Sequence, residues 1–235
     1  MSTRVSIGIA MLLLALTLPS FAQSRRITDV GAIAEAKAAT TLWDMAELEL
    51  EEELRFENYG GFHLDRWLTS LSLETPLPVR GLGKRLHAGI HTDYMRTYDD
   101  DGFYDNRMRT GVFLTYAETI RRFKLSFRTR MTMTYRDERT GDYDVNPKWC
   151  WRNKIQAVYQ LPGSRFKYTL STEFFMRLRA FARESFIDQW RTTLAVNYRL
   201  TRRQSVSAFL RMDNEVQVKQ PFDVFYLGFT YNHNL

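Results

Sequence analysis

Residues Phe123 to Arg136 read FKLSFRTRMTMTYR. Phe123, Leu125, Phe127, Thr129, Met131, Met133 and Tyr135 fall on one parity. Lys124, Ser126, Arg128, Arg130, Thr132, Thr134 and Arg136 fall on the other. Successive side chains of a strand point to opposite faces, so a period of two gives one apolar face and one basic face. The period holds over fourteen residues, whereas strands of ordinary globular domains run to about 5–6. At roughly 3.3 Å per residue, such a strand reaches about 46 Å and crosses a bilayer's hydrocarbon core even when tilted by about 45°. The stretch reads as one stave of a transmembrane β-barrel.

Working outward, the same alternation recurs near 43–57, 64–74, 85–97, 107–117, 149–161, 166–179, 186–200, 204–213 and 222–232, giving ten staves with the first. In the 43–57 segment only Glu52 breaks the apolar face. Glu118–Arg122, Leu161–Arg165 and Thr201–Arg203 read as tight turns, while Tyr98–Asn106, Asp137–Lys148 and Asp213–Pro221 are longer and more polar. Thr75–Lys84, with two prolines and two glycines, is long for the turn side. Short turns at one end and longer loops at the other are the pattern of outer-membrane barrels, with the turns periplasmic. An even strand count would put both termini on the periplasmic side.

The chain has 235 residues, enough for one barrel domain. Aromatics make up 14%, and the net charge is +6 with Lys and Arg spread one or two per segment. That dispersal argues against nucleic acid as a partner. One cysteine, Cys150, excludes an internal disulfide framework and a four-cysteine zinc site. At the N-terminus, Arg4 precedes an apolar run from Val5 to Leu18, then Pro19 and Ser20-Phe21-Ala22. A basic start, a short apolar run and small residues at −3 and −1 predict a signal peptide over 1–22, cleaved after Ala22. Residues 23–41 are polar and Ala-rich and read as a periplasmic arm, with the barrel over 42–235.

Aromatic residues of the apolar parity gather at the two ends of the segments. Trp67, Tyr94, Tyr135, Trp151 and Trp190, with Phe56, lie toward the loops. Tyr116, Phe123, Tyr159, Tyr168, Tyr198 and Tyr231 lie toward the turns, with aliphatics between. Two membrane–water interfaces select such girdles, so the apolar face is expected to meet lipid and the polar face to line a lumen. There the first segment supplies Glu47, Glu49, Glu51 and Glu53, and later segments supply Arg107, Arg109, Arg128, Arg130, Arg152, Arg177 and Arg191. These charges are expected to pair, the acidic strand lying near basic neighbours or across a narrow lumen from them.

The residues also resemble a known family. Glu51-Glu52-Glu53-Leu54-Arg55-Phe56, Leu64-Asp65-Arg66, Phe123-Lys124-Leu125-Ser126-Phe127-Arg128, Trp151-Arg152-Asn153-Lys154, Tyr198-Arg199 and Tyr226-Leu227-Gly228-Phe229-Thr230-Tyr231 carry the likeness. They resemble the outer-membrane β-barrels of Gram-negative bacteria classed as domain of unknown function 2490, over roughly Leu42 to the C-terminus. The resemblance implies the barrel fold and the outer membrane, and no activity. The ending Asn232-His233-Asn234-Leu235 departs from the terminal aromatic usual in such barrels, so either Phe229 and Tyr231 carry the assembly signal or the terminus simply varies.

The expectation is therefore an all-β protein: a transmembrane antiparallel up-and-down barrel of about ten strands. It acts as a narrow pore or a structural barrel in the outer membrane of a Gram-negative bacterium. Its expected partners are outer-membrane lipid, the barrel-assembly machinery during biogenesis, and an outer-membrane partner of unidentified kind. No catalytic residue, metal or other cofactor is called for. One alternative is a hydrolase of lipid or peptide built on His87, His91 and Asp93 with Ser126, although Asn153 points to the other face. Another is a soluble calycin-type lipid carrier, with apolar residues inside. The loop Asp99 to Asp105, with Asp142 and Asp144, reads as a solvated surface loop rather than a calcium site, lacking the D-x-D-x-D-G spacing.

Overall fold

The computed structural model describes residues 27–43, 45–58, 61–82, 85–98, 102–136, 146–178, 187–216 and 221–235. Among them eleven strands form one closed barrel and no residue is helical. The strands are β1 (Ile27–Leu42), β2 (Ala46–Glu57), β3 (His63–Pro76), β4 (Leu86–Tyr98), β5 (Tyr104–Ile120) and β6 (Phe123–Arg136). They continue as β7 (Lys148–Gln160), β8 (Phe166–Leu178), β9 (Ile187–Arg199), β10 (Gln204–Glu215) and β11 (Phe222–Asn234). Each pairs antiparallel with the next in sequence, and the wall closes where β1 lies parallel to β11, Ile27 against Phe222.

The wall has eleven strands, close to the expected ten or so, and one expectation is corrected: residues 27–41 of the expected 23–41 arm belong to β1, the strand that closes the wall. The alternation of β1 is shallow: its outward residues include Ala32, Ala34, Ala36 and Ala38, and its inward ones include Gly31 and Ile33 beside Glu35 and Lys37. Ala and Gly carry little strand preference of their own, and β1 is held by ladders on both edges. An odd count also sets Ile27 and the C-terminal Leu235 at opposite ends of the barrel, not on one side. Residues 1–22, expected as a signal peptide, lie outside the described residues, as do 99–101, Asp142 and Asp144 of the Asp-rich loops.

Burial runs opposite to that of a water-soluble barrel. Large apolar side chains are exposed round the wall, among them Val30, Leu54, Leu71, Ile90, Val112, Leu125, Ile155, Tyr168, Leu194, Leu210 and Leu227. A groove of about 500 Å3 between Leu73, Ile90, Val112, Leu114, Met131 and Trp151 lies in this belt. The buried residues face inward and are largely polar: Glu53, Arg55, His91, Asp93, Thr132, Arg152, Ser171 and Asp213. One apolar patch, Ile33, Phe209, Val224 and Tyr226, lies inside near the β1–β11 seam. Eleven strands about 4.8 Å apart, tilted by roughly 40°, enclose a cylinder about 22 Å across between backbones. Long side chains reaching in from both sides fill much of that width.

Candidate lumenal site

The interior is built from four aromatic residues on the polar parity that the alternation pattern passes over. Phe113, Phe175, Phe209 and Tyr226 point inward. Three of them lie over inward glycines of a neighbouring strand: Phe113 over Gly89, Phe209 over Gly228 and Tyr226 over Gly31. His91 lies over Gly111 in the same way. A guanidinium then covers each aromatic ring: Arg55 over Tyr226 at 5.1 Å, Arg211 over Phe209 at 5.0 Å, and Arg128 and Arg130 over Phe113 at 5.0 and 5.4 Å. Arg152 and Arg191 cover Phe175 at 4.5 and 5.2 Å. Each stack is worth roughly 0.5–2 kcal/mol, more where water is excluded. Stacking fixes the plane of the guanidinium and leaves its N–H edge for acceptors.

Those edges meet carboxylates in a net near the seam. Asp213 accepts both Arg191 Nε at 2.7 Å and a terminal nitrogen of Arg191 at 2.6 Å, and lies 3.9 Å from Arg55. Glu53 lies 3.0 Å from Arg55 and 3.3 Å from Arg211. Glu35 accepts Arg211 and the Thr230 hydroxyl, each at 2.9 Å. Lys37 lies 2.9 Å from Glu51, and Tyr226 donates its phenol to Glu57. Oxygens of Glu35, Glu51 and Glu53 fall within 4.8 Å of one another. Lys37 and Arg211 already stand among them, so the cluster reads as an ion-pair net and not as a cation site.

Opposite the seam, Asp93 accepts Arg109 Nε at 2.5 Å and Ser70 Oγ at 2.6 Å, with His91 Nε2 3.9 Å away. Arg152 donates to Glu173 at 3.0 and 2.9 Å. Arg128 donates to Thr115 at 3.2 Å and lies 3.7 Å from Glu74, which is 3.2 Å from His87. Toward the loops, Asp105 lies 2.5 Å from Arg136 and 3.5 Å from Arg107, and Arg177 lies 3.1 Å from Asp188.

Of the arginines named from the sequence, Arg109, Arg128, Arg152, Arg177 and Arg191 meet acids of other strands and Arg107 meets Asp105 of its own, none of them a glutamate of β2, while Arg130 has no carboxylate in an ion pair among the described residues. Glu51 and Glu53 are held by Lys37, Arg55 and Arg211, while Glu47 and Glu49 lie toward the turn end with no ion-pair partner among the described residues. The sequence reading missed Glu35 and Lys37 because they sit in the segment read as an arm. It also missed the stacked rings, whose signal was present as aromatics and glycines on the polar parity. The hydrolase alternative on His87, His91, Asp93 and Ser126 lacks a contact at His91, whose two ring nitrogens are both without a hydrogen bond, to Ser126 or to any other group.

The aromatic positions lie on the outer parity. Trp67, Tyr94, Phe123, Tyr135, Trp151, Tyr168 and Tyr231 are exposed, and Tyr116, Tyr159, Trp190 and Tyr198 are half-buried. Trp190 donates its indole N–H to Asn214, and Trp151 donates to Thr129 at 2.7 Å.

The chain is thus a closed all-β barrel with a charged, ring-lined interior and an apolar wall. The chain belongs to the family described as protein of unknown function (DUF2490), whose model matches residues 36–220. Among solved structures it is similar to an anion-selective porin from Comamonas acidovorans, at 12% identity and a TM-score of 0.37, covering 81% of this chain and 53% of that one. The chain thus spans about half the length of that porin. Comparison with curated proteins gives no match.

Proposed function

We propose that this protein is an integral barrel of the Gram-negative outer membrane and works there as a narrow pore with a charged lumen. One observation carries the reading: apolar side chains are exposed round the wall while ionised ones are buried inside it. In water that arrangement loses the roughly 25 cal/mol per Å2 of apolar surface that burial returns. In lipid the wall is solvated by acyl chains, and closure leaves no strand edge unpaired. The soluble-carrier alternative needs the reverse arrangement. The hydrolase alternative needs an imidazole on a nucleophile, which His91 does not supply.

The lumen is narrow because the interior is packed. Asp93, His91, Arg55 and Asp213 are each no more than 4% exposed. Eleven strands are also well below the 16–18 that leave an open porin channel. Lipid and the barrel-assembly machinery are the partners this reading requires. The test is single-channel recording of the purified, refolded chain in planar bilayers, after fractionation of cells. Membrane-bound protein released only by detergent, with small reproducible conductance steps, supports the reading. Release by salt washing overturns the membrane assignment, and a folded barrel that inserts without conducting overturns the pore.

A further inference from the structure

Four cations face the lumen in a block on two adjacent strands. Arg130 of β6 stands directly opposite Arg152 of β7, and Arg128 directly opposite Lys154. Like charges placed opposite one another across a ladder destabilise a sheet, so such a block needs anions to hold it. Two carboxylates reach it. Glu173 takes Arg152, and Glu74 lies 3.7 Å from Arg128. Arg130 and Lys154 have no carboxylate in an ion pair among the described residues. Arg130 lies in the field of Arg109, Arg128 and Arg152 and of Glu173, while Lys154 faces Glu173, Arg128, Lys37 and Arg211. The Nε of Arg130 is buried without an acceptor.

The guanidiniums here are positioned rather than loose. Phe113 carries Arg128 and Arg130, Phe113 rests on Gly89, and Phe175 carries Arg152. Fixed planes with in-plane N–H donors and a surplus of positive charge are what a tetrahedral or planar oxyanion binds.

We propose that Arg128, Arg130, Arg152 and Lys154 form a lumenal oxyanion site that takes a phosphate- or carboxylate-bearing solute. The proposal deepens the reading of the barrel as a pore by naming the solute class that its lumen holds. The wall separates the block from lipid, so the anion comes from solution and not from a headgroup.

The test is calorimetric titration of inorganic phosphate into the detergent-refolded full chain, with short-chain phosphatidate as a second probe. A saturable site for inorganic phosphate is expected, weakened about tenfold or more in Arg130→Gln and in Lys154→Gln by loss of charge-assisted hydrogen bonds. Arg130→Lys, which keeps the charge, restores part of the affinity, and Lys167→Gln at the exposed turn end leaves it unchanged. Absence of saturable phosphate binding, equal binding by Arg130→Gln, or preference for phosphatidate that inorganic phosphate does not displace overturns the site. Conductance recorded in parallel separates the two readings: binding without conduction removes the pore and keeps the site, and conduction without binding does the reverse.

Discussion

Phe209 and Gly228 are cross-strand partners, and the ring lies where a side chain at 228 would be: a Cβ there would stand 2.0 Å from the ring's Cζ. Phe209 is 5% exposed and carries Arg211 on its inner face. Gly228→Ala therefore has to displace a ring that is packed on both sides. Overpacking of this kind costs about 1–3 kcal/mol. The expected result is a lower urea midpoint for the refolded barrel in vesicles. In the Phe209→Ala background the same change should cost little, because the ring it strikes is gone. Additive losses in the double variant would sink the stacking account.

Asp213 is shared by two guanidiniums of the interior, taking Arg191 through two hydrogen bonds and facing Arg55. Asp213→Asn keeps the shape and removes the charge, leaving two buried guanidiniums short of an anion. Breaking one partner of a buried pair costs about 3–5 kcal/mol. Asp188→Asn removes the partner of Arg177, whose side chain is 52% exposed, and an exposed pair is worth about 0–1 kcal/mol. Thermal melts of the two variants in one detergent should differ accordingly. Equal losses would mean that water reaches Asp213 and the interior is open there.

Most of this wall can be read from the sequence, because ten of the eleven strands alternate strongly: Leu125 beside Arg128 or Leu210 beside Arg211 leaves no doubt about the face. What cannot be read is β1, where Ala34 and Ala36 face outward with too little hydrophobicity to register against Glu35 and Lys37. Its place is set by ladders to residues far along the chain, which no local window contains. The same limit applies to the charge net. The sequence shows that Glu53 and Arg191 face inward, but the choice of partner depends on register and on rings such as Tyr226 and Phe175, which steer each guanidinium.

Glu52 is the charged residue on the outer face of β2, beside Leu50 and Leu54. Its carboxylate accepts Trp67 Nε1 at 2.8 Å and Thr69 Oγ1 at 2.9 Å. Those donors satisfy the oxygens, but on the lipid-facing wall proposed above they do not remove the cost of a charge. Glu52→Gln keeps an acceptor for both donors and drops the charge. The variant should resist urea more strongly in vesicles, by up to about 2 kcal/mol, a carboxylate on a lipid face costing less than the basic residues do. A destabilised Glu52→Gln would place this face against water or another protein instead of lipid.

The parallel seam makes the sharpest geometric prediction. Ala34 of β1 and Phe229 of β11 are register partners on the outer face, with Cα atoms about 4.8 Å apart as in any adjacent strands. That falls within the span of roughly 4.4–6.8 Å that a disulfide bridges. In a Cys150→Ser background, which removes the one native thiol, Ala34→Cys with Phe229→Cys should oxidise readily after refolding. The bond closes most of the chain into one loop, so the denatured, non-reduced protein should run faster in a gel. The chain-entropy contribution of so long a loop is about 5 kcal/mol, so urea resistance should also rise. Ala34→Cys with Leu227→Cys, displaced along β11, should oxidise more slowly. If β1 instead stayed outside the wall and β2 closed on β11, the first pair would remain reduced, and the odd strand count would fall with it.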